Sequence, residues 1–222
     1  INKYKNDLGV IMTNYSECDY QLQYKKKRFR EDILEDVFCE NGDDFFIKSK
    51  LFFGLISSLI IKRDSWLASD FKQYIGLNSL HVAAIIQILD KEKSFIISNK
   101  LVKFRMDTLP GMTSWSEQSN FIIIAYQHVQ IFHSMRYLNY KKETIDFLIN
   151  THYRGNFFTV ALAKAKGFKD TRRAFSEMKK CYQHKFFFWI FDVPILFMPS
   201  IFFKILYKLY KFYKKIIIYF KN

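Results

Sequence analysis

The chain has few of the residues that break or cross-link a fold, with 7 glycines, 3 prolines and 3 cysteines among 222 residues. Cys18, Cys39 and Cys181 are odd in number, widely spaced and never arranged as CxxC. This excludes a disulfide framework and a cysteine zinc site, and it favours a reducing cytoplasm. There is no internal repeat or low-complexity linker, and since half of the residues are hydrophobic, wholesale disorder is excluded.

Acidic residues are almost missing from the last third of the chain. Residues 151–222 carry 15 lysines and arginines against 3 acids, whereas residues 1–150 carry 20 against 18. Because this charge lies beside apolar aromatic residues, it predicts an anionic membrane surface as partner and no nucleic acid. The chain begins at Ile1 and shows no signal peptide, which predicts that a preceding segment is missing.

One stretch, residues 53–66, combines a buried-strand pattern with unusually small residues. Residues 59–61 are bulky and fit a strand covered on both faces. Gly54, Ser57 and Ser58 leave room beside that strand, so a ligand could lie there. The alternative is a core strand whose serines bond to nearby backbone.

The remaining patterns predict an α/β fold. An apolar run predicts a strand over residues 7–15, and helical spacing of apolar residues from Leu80 to Leu89 predicts a helix with Asn78 as N-cap. Residues 95–105 return to strand character, and helices are predicted at 120–149, 156–166 and 171–184. Residues 41–44 (Asn-Gly-Asp-Asp) are typical of a turn.

Four stretches come in a fixed order: residues 53–66, 74–82, 94–105 and 113–115. Together they resemble the C-terminal half of family 2 glycosyltransferases, in particular the abequosyltransferase-like enzymes that build bacterial surface polysaccharides. The resemblance implies the C-terminal, acceptor-side part of a GT-A domain over residues 1–120. A helical extension would follow at 121–185, and a membrane-associating tail at 186–222.

The resemblance also implies the chemistry, which is sugar transfer from a nucleotide-sugar donor to a lipid-linked or polysaccharide acceptor. In that family a divalent metal, Mg or Mn, held by an Asp-x-Asp motif stabilises the leaving diphosphate. The complete enzyme is expected to use it, but this chain contains no Asp-x-Asp and supplies no identified metal ligand. The donor-binding half of the family precedes the region matched here.

Inverting transfer needs a base for the acceptor hydroxyl proton, and His81 is the candidate because imidazole titrates near neutrality. The alternative role for His81 is a core or capping histidine. Asp43 and Asp44 are further candidates for the site, or else belong to a solvated turn. The remaining candidate substrate-binding residues are Ser57, Ser58, Asn78, Arg105 and Trp115.

Two of these candidates also have plain structural alternatives. Trp115 could stack on a sugar ring or cap the core. Arg105 could meet a phosphate or carboxylate, or pair with Asp107.

The tail predicts attachment to the cytoplasmic face of a membrane without crossing it. Residues 186–203 are apolar except for Asp192, two prolines and a serine, a composition that argues against a straight spanning helix. Beyond it, lysines at helical spacing predict a basic amphipathic helix with Lys204, Lys208, Lys211 and Lys215 at the membrane. The alternatives are a helix docked on the protein's own core and, for the chain as a whole, a non-catalytic membrane-surface scaffold.

Overall fold

The chain forms two compact units, seen here in a computed structural model. The first unit contains residues up to 105 together with 131–149, and the second contains 121–130 together with 150–209. The structure describes residues 7–19, 21–23, 33–49, 56–77, 79–105, 121–154 and 156–209.

A four-stranded mixed sheet forms the centre of the first unit, in the order β2-β4-β1-β3. The strands are β1 (Leu8–Cys18), β2 (Val37–Cys39), β3 (Leu59–Ile61) and β4 (Lys93–Arg105). The two long central strands, β1 and β4, run parallel, and each edge strand is antiparallel to its neighbour. The strands predicted at 7–15 and 95–105 are therefore confirmed, and so is the α/β class.

Helices α1 (Gly42–Ser49), α2 (Arg63–Ala68) and α3 (Leu80–Leu89) belong to the same unit. Short 3-10 turns lie at Ile56–Ser58, Lys72–Tyr74 and Met135–Tyr137. Helix α3 packs against β1 through a nearly continuous buried run, which confirms the predicted helix. Its N-cap position is Ser79, while the predicted cap Asn78 lies outside the described residues.

The prediction of a doubly covered strand at residues 59–61 is wrong. Among the described strands β3 pairs only with β1, at the edge of the sheet, and Ile60 is 58% exposed. An edge strand lacks a neighbour on one side, so bulky β-branched residues can occupy it without being buried. Gly54 lies outside the described residues.

The single helix predicted over 120–149 is also wrong, because two helices occupy that region. Helix α4 (Phe121–Ser134) ends at the 3-10 turn, and α5 (Lys142–Arg154) begins after a break. Residues distant in sequence stabilise the break between the two helices. Asn139 donates its backbone N–H to Asp90 at 2.7 Å, and Tyr140 donates its hydroxyl to the Ile86 carbonyl at 2.6 Å.

The predicted turn at residues 41–44 is the beginning of α1. The side-chain oxygen of Asn41 accepts the backbone N–H of Asp44 at 3.0 Å, as an N-cap does. Just before α1 lies β2, a strand that the sequence pattern did not predict because residues 23–44 are highly charged. A Cβ at Gly42 would lie 2.5 Å from the ring of Tyr140, so only glycine fits at this helix start.

In the second unit, α6 (Asn156–Ala165) and α7 (Thr171–Tyr182) confirm the two predicted helices. Gly167 separates them with a φ of +92°, which favours glycine. A π-helical turn (Phe188–Asp192) then leads into α8 (Val193–Phe197). The last described element is a helix at Ser200–Leu209, here called α9.

Candidate functional site

Ser58 and His81 belong to two elements that both contact β1, the 3-10 turn Ile56–Ser58 and helix α3. Ser58 accepts a hydrogen bond from the hydroxyl of Thr13 to its carbonyl oxygen at 3.4 Å. Near the C-terminal end of α3, Ile88 lies against Gly9 of β1. Measured from that contact, His81 is about 10 Å along the helix and Thr13 is about 13 Å along the strand. These two predicted residues share one region of the first unit, with Ser58 buried, Ser57 exposed and His81 partly buried.

Two buried polar residues of β1 belong to the same region and were not predicted as site residues. The pairing of β1 with β4 shifts register between Thr13 and Tyr15, which marks a bulge. Asn14 donates its side-chain amide to the Ser98 carbonyl at 3.0 Å across that bulge. The signal in the sequence was the sudden change from an apolar run to Thr13 and Asn14.

Asp43 and Asp44 are structural in this fold and lie away from His81. Asp43 is buried and accepts the backbone N–H of Lys141 at 3.1 Å, while Asp44 lies 3.7 Å from the Lys48 ammonium. The start of their helix, α1, meets the carbonyl of Leu89 at the far end of α3. Nearly the whole length of α3, about 12 Å, therefore separates both carboxylates from His81.

Arg105 is also remote from His81. It is the exposed last residue of β4, about 40 Å along the strand from Lys93, whereas α3 covers only about 15 Å in that direction. Trp115 and Asn78 lie outside the described residues, as does Asp107. Among the predicted substrate-binding residues that the structure describes, Ser57 and Ser58 lie in a turn that contacts β1, the strand against which α3 with His81 packs.

Among the described residues, no three histidine, cysteine or acidic side chains are grouped closely enough to hold a metal ion. The divalent metal implied by the resemblance therefore has no such group of ligands among the described residues.

The tail of the second unit is bent sharply between two helical segments. Segments Phe188–Phe197 and Ser200–Leu209 meet at 94°. Met198 adopts an extended ψ of 145° because it precedes Pro199, and residues before proline avoid the helical region. Within the described ranges no single helix is long and apolar enough to cross a membrane, although this bent pair reaches the length and composition when counted together.

A π-helical turn divides the aromatic residues of the tail into an inner and an outer set. Val193 donates its N–H to the carbonyl of Phe188, five residues back, just before Pro194, which has no N–H to donate. The two ends of the turn, Phe188 and Asp192, are buried. The intervening Trp189, Ile190 and Phe191 are exposed.

The outer set forms what we call the aromatic row. It consists of four aromatic residues and one isoleucine: Phe186, Phe187, Trp189, Ile190 and Phe191. These side chains are between 44% and 69% exposed. The rings of Phe187 and Phe191 stack on each other with centroids 5.7 Å apart. Large apolar side chains concentrated on a surface in this way mark a site of interaction with a membrane or a protein.

The inner set anchors the tail to its own unit. Phe188 is fully buried and stacks on Phe175, with centroids 6.4 Å apart and planes 16° from parallel. Burial raises the pKa of Asp192, although the neighbouring Asn156 and Tyr153 side chains oppose this shift. The tail is thus partly a core element, as the docked-helix alternative proposed, and partly an exposed apolar surface.

The basic part of the tail is described only as far as Leu209. Lys204 and Lys208 are exposed on α9, while Lys211 and Lys215 lie outside the described residues. Between α6 and the tail is an apolar cavity of about 660 Å³, to which Phe157, Phe158 and Phe202 contribute rings.

His152, on α5 in the second unit, predicts a pH-dependent stability. Burial lowers its pKa from 6.5 to about 4. The unfolded chain therefore binds more protons below pH 6.5, and we expect the free energy of unfolding to fall by about 2 kcal/mol between pH 7.5 and pH 5 from this group alone. Urea unfolding of the parent and His152→Gln at several pH values isolates the effect as a difference.

The exposed His184 is the control for that series. His184→Gln should leave the pH dependence of the parent intact, whereas His152→Gln should flatten it. Equal pH dependence in the parent and His152→Gln would contradict the assignment.

No protein-family model, curated protein or solved structure matches this chain.

Proposed function

We propose that the second unit holds this chain on the cytoplasmic face of a membrane, as a peripheral attachment. The observation that carries the proposal is the aromatic row, whose large side chains are exposed in sequence around a buried anchor. Exposed Trp and Phe side chains bury themselves at the boundary between lipid headgroups and acyl chains when a segment lies on a membrane surface. Exposed Lys204 and Lys208 each add roughly 1 kcal/mol near an anionic surface.

Attachment without crossing follows from the shape of the tail. The 94° bend interrupts the apolar segment, and buried Asp192 bonds within its own unit. Moving an acidic group to the centre of a bilayer costs roughly 2.5–3.5 kcal/mol, whereas in an interfacial position Asp192 keeps its present partners.

Binding to sedimented vesicles at two salt concentrations tests this attachment. Anionic vesicles should bind the chain more tightly than neutral ones at low salt, and 1 M salt, where the screening length is about 3 Å, should remove most of that difference. A residual, salt-resistant binding should persist because the aromatic row contributes apolar area. Absence of binding to both vesicle types at low salt would overturn the proposal.

In this proposal the first unit is the acceptor-side part of a GT-A glycosyltransferase that transfers a sugar to a lipid-linked or polysaccharide acceptor. Two observations support it. One is the ordered resemblance of residues 53–66, 74–82, 94–105 and 113–115 to the family. The other is a mixed sheet with a parallel central pair, whose strand β1 contacts both the turn that carries Ser58 and the helix that carries His81. A membrane attachment suits this task because a lipid-linked acceptor lies in the same leaflet.

His81→Ala tests the catalytic part of the proposal. With His81 as the general base, we expect turnover to fall about 10²-fold. The measurement is release of nucleoside diphosphate from nucleotide sugars, in the longest natural polypeptide that carries this chain and with a lipid-linked acceptor present. His184→Ala is the control, and unchanged turnover in His81→Ala would leave the histidine as a structural residue of α3.

A non-catalytic membrane-surface scaffold is the second candidate. It is favoured by the structural roles of Asp43 and Asp44, which bind Lys141 and Lys48 rather than facing His81. The same assay separates the two functions. Vesicle binding without diphosphate release from any nucleotide sugar supports the scaffold.

A further inference from the structure

The second unit has an open cavity of about 400 Å³ whose lining differs from the apolar cavity beside α6. Two of its lining residues are cations, Arg154 and Lys185. An amide, a phenol and two phenyl rings complete the lining, from Asn150, Tyr153, Phe186 and Phe187. Among the described residues no acidic side chain lines this cavity, which we call the cationic cavity.

The Lys185 ammonium is held in position inside the cationic cavity. It donates a hydrogen bond to Asn150 Oδ1 at 2.7 Å and lies 5.2 Å from the centre of the Tyr153 ring. An ammonium has three N–H donors, so two remain for a ligand, and the Asn150 side-chain nitrogen can donate as well.

Arg154, the last residue of α5, is the second cation and is exposed. Within the described part of the chain, no hydrogen bond or ion pair engages its guanidinium. Its five N–H donors are therefore available in a planar fork.

One structural role for these two cations is to offset the partial negative charge at the C-terminus of α5, where carbonyl groups contribute about −0.5 charge. Two full positive charges exceed that by more than a unit. The surplus favours an anion as ligand. The rings of Phe186 and Phe187 belong both to the cavity and to the aromatic row, so the anion would be bound at the level of the apolar surface.

We propose that the cationic cavity binds the phosphomonoester headgroup of a membrane lipid, an inference that rests on the proposed membrane attachment. A monoester presents three terminal oxygens and a charge of about −1.5 to −2 at pH 7. Two of those oxygens suit the fork of Arg154 and the third suits Lys185. A phosphodiester offers only two free oxygens and a single charge, and a carboxylate headgroup has no third oxygen.

Vesicles that contain phosphatidic acid, compared with phosphatidylserine vesicles of matched surface charge, test the preference. We expect the parent chain to bind the phosphatidic acid vesicles about tenfold more tightly, because only the monoester, with its third terminal oxygen and second charge, engages Arg154 and Lys185 together. Arg154→Gln should remove the preference while keeping the common binding. Arg172→Gln, an exposed arginine of α7 in the same unit, removes the same charge and should keep the preference.

A soluble arm separates failure of this inference from failure of the membrane attachment. Short-chain phosphatidic acid below its micelle concentration should bind the parent and bind Arg154→Gln about tenfold more weakly, whether or not vesicles bind. Inorganic phosphate should bind more weakly than the lipid because it cannot contact Phe186 and Phe187. Equal affinity for inorganic phosphate would overturn the lipid assignment, and equal binding of both vesicle types by the parent would overturn the phosphomonoester preference.

Discussion

Replacing three rings of the aromatic row with serine, in Phe186→Ser/Phe187→Ser/Phe191→Ser, is expected to weaken vesicle binding by about 10²- to 10³-fold. Each ring is about half or more exposed, so its transfer into the interface contributes about 1–1.3 kcal/mol and the three together about 3–4 kcal/mol. The loss should appear in neutral and anionic vesicles alike, since it removes apolar area rather than charge. Flotation of labelled vesicles measures it.

The same substitutions should leave folding almost unchanged, because surface rings add little to the free energy of unfolding. A matched control in unit 1 replaces three exposed residues of similar character: Ile47→Ser, Ile56→Ser and Leu67→Ser, whose exposures run from 49% to 67%. That control should keep vesicle binding. Full vesicle binding by the aromatic-row variant would assign the row to a protein partner and contradict the membrane role.

Phe188→Ala is expected to destabilise the second unit by about 3–5 kcal/mol. Its ring is fully buried, stacks on Phe175 and packs edge-on to Trp189. Truncation removes this buried area and leaves a cavity, and domains of this size have only about 5–15 kcal/mol of stability in total. Urea unfolding followed by circular dichroism measures the change.

The neighbouring residue provides the control for that experiment. Phe187→Ala alters an identical ring one position earlier that is 60% exposed, and its unfolding midpoint should shift little. Equal destabilisation by the two substitutions would show that the inner and outer sets are not separated as described. This contrast also favours point variants over truncation, since a chain that ends at Lys185 would lose buried Phe188 and Leu196.

The sequence predicted those elements whose pattern comes from their own burial. Strand β1 and helix α3 have apolar residues at the spacing of a strand and of a helix, and both face the core of the first unit. The α/β class followed from their order. Helices α6 and α7 followed from helical spacing on either side of Gly167, whose positive φ ends one helix before the next begins.

Other features depend on groups that are distant in sequence. The break between α4 and α5 is held by Asp90 and the Ile86 carbonyl, about fifty residues earlier, and no local signal contains them. Strand β3 resembles a core strand because its residues are bulky, but its position at the sheet edge is set by pairing with β1. Local pattern cannot distinguish an edge strand from a central one when both are β-branched.

The candidate site was predicted only in part for the same reason. Ser58 and His81 belong to segments that are distant in sequence and that both contact β1. Asp43 and Asp44 were candidate site residues because they are adjacent carboxylates, but in the fold they have structural contacts at the start of α1. In the tail, Phe187 and Phe188 are adjacent phenylalanines that the sequence pattern does not distinguish. The π-helical turn before Pro194 determines which of the two rings is buried.

Fluorescence of Trp189 in vesicles tests the membrane attachment most directly. A variant with Trp66→Phe and Trp115→Phe leaves this residue, 44% exposed within the aromatic row, as the single tryptophan. Membrane attachment predicts a blue shift of the Trp189 emission on anionic vesicles, strong quenching by lipids brominated close to the headgroup, and protection from aqueous iodide. Emission that brominated lipids leave unchanged and iodide still quenches would contradict it, because the row would then remain in water.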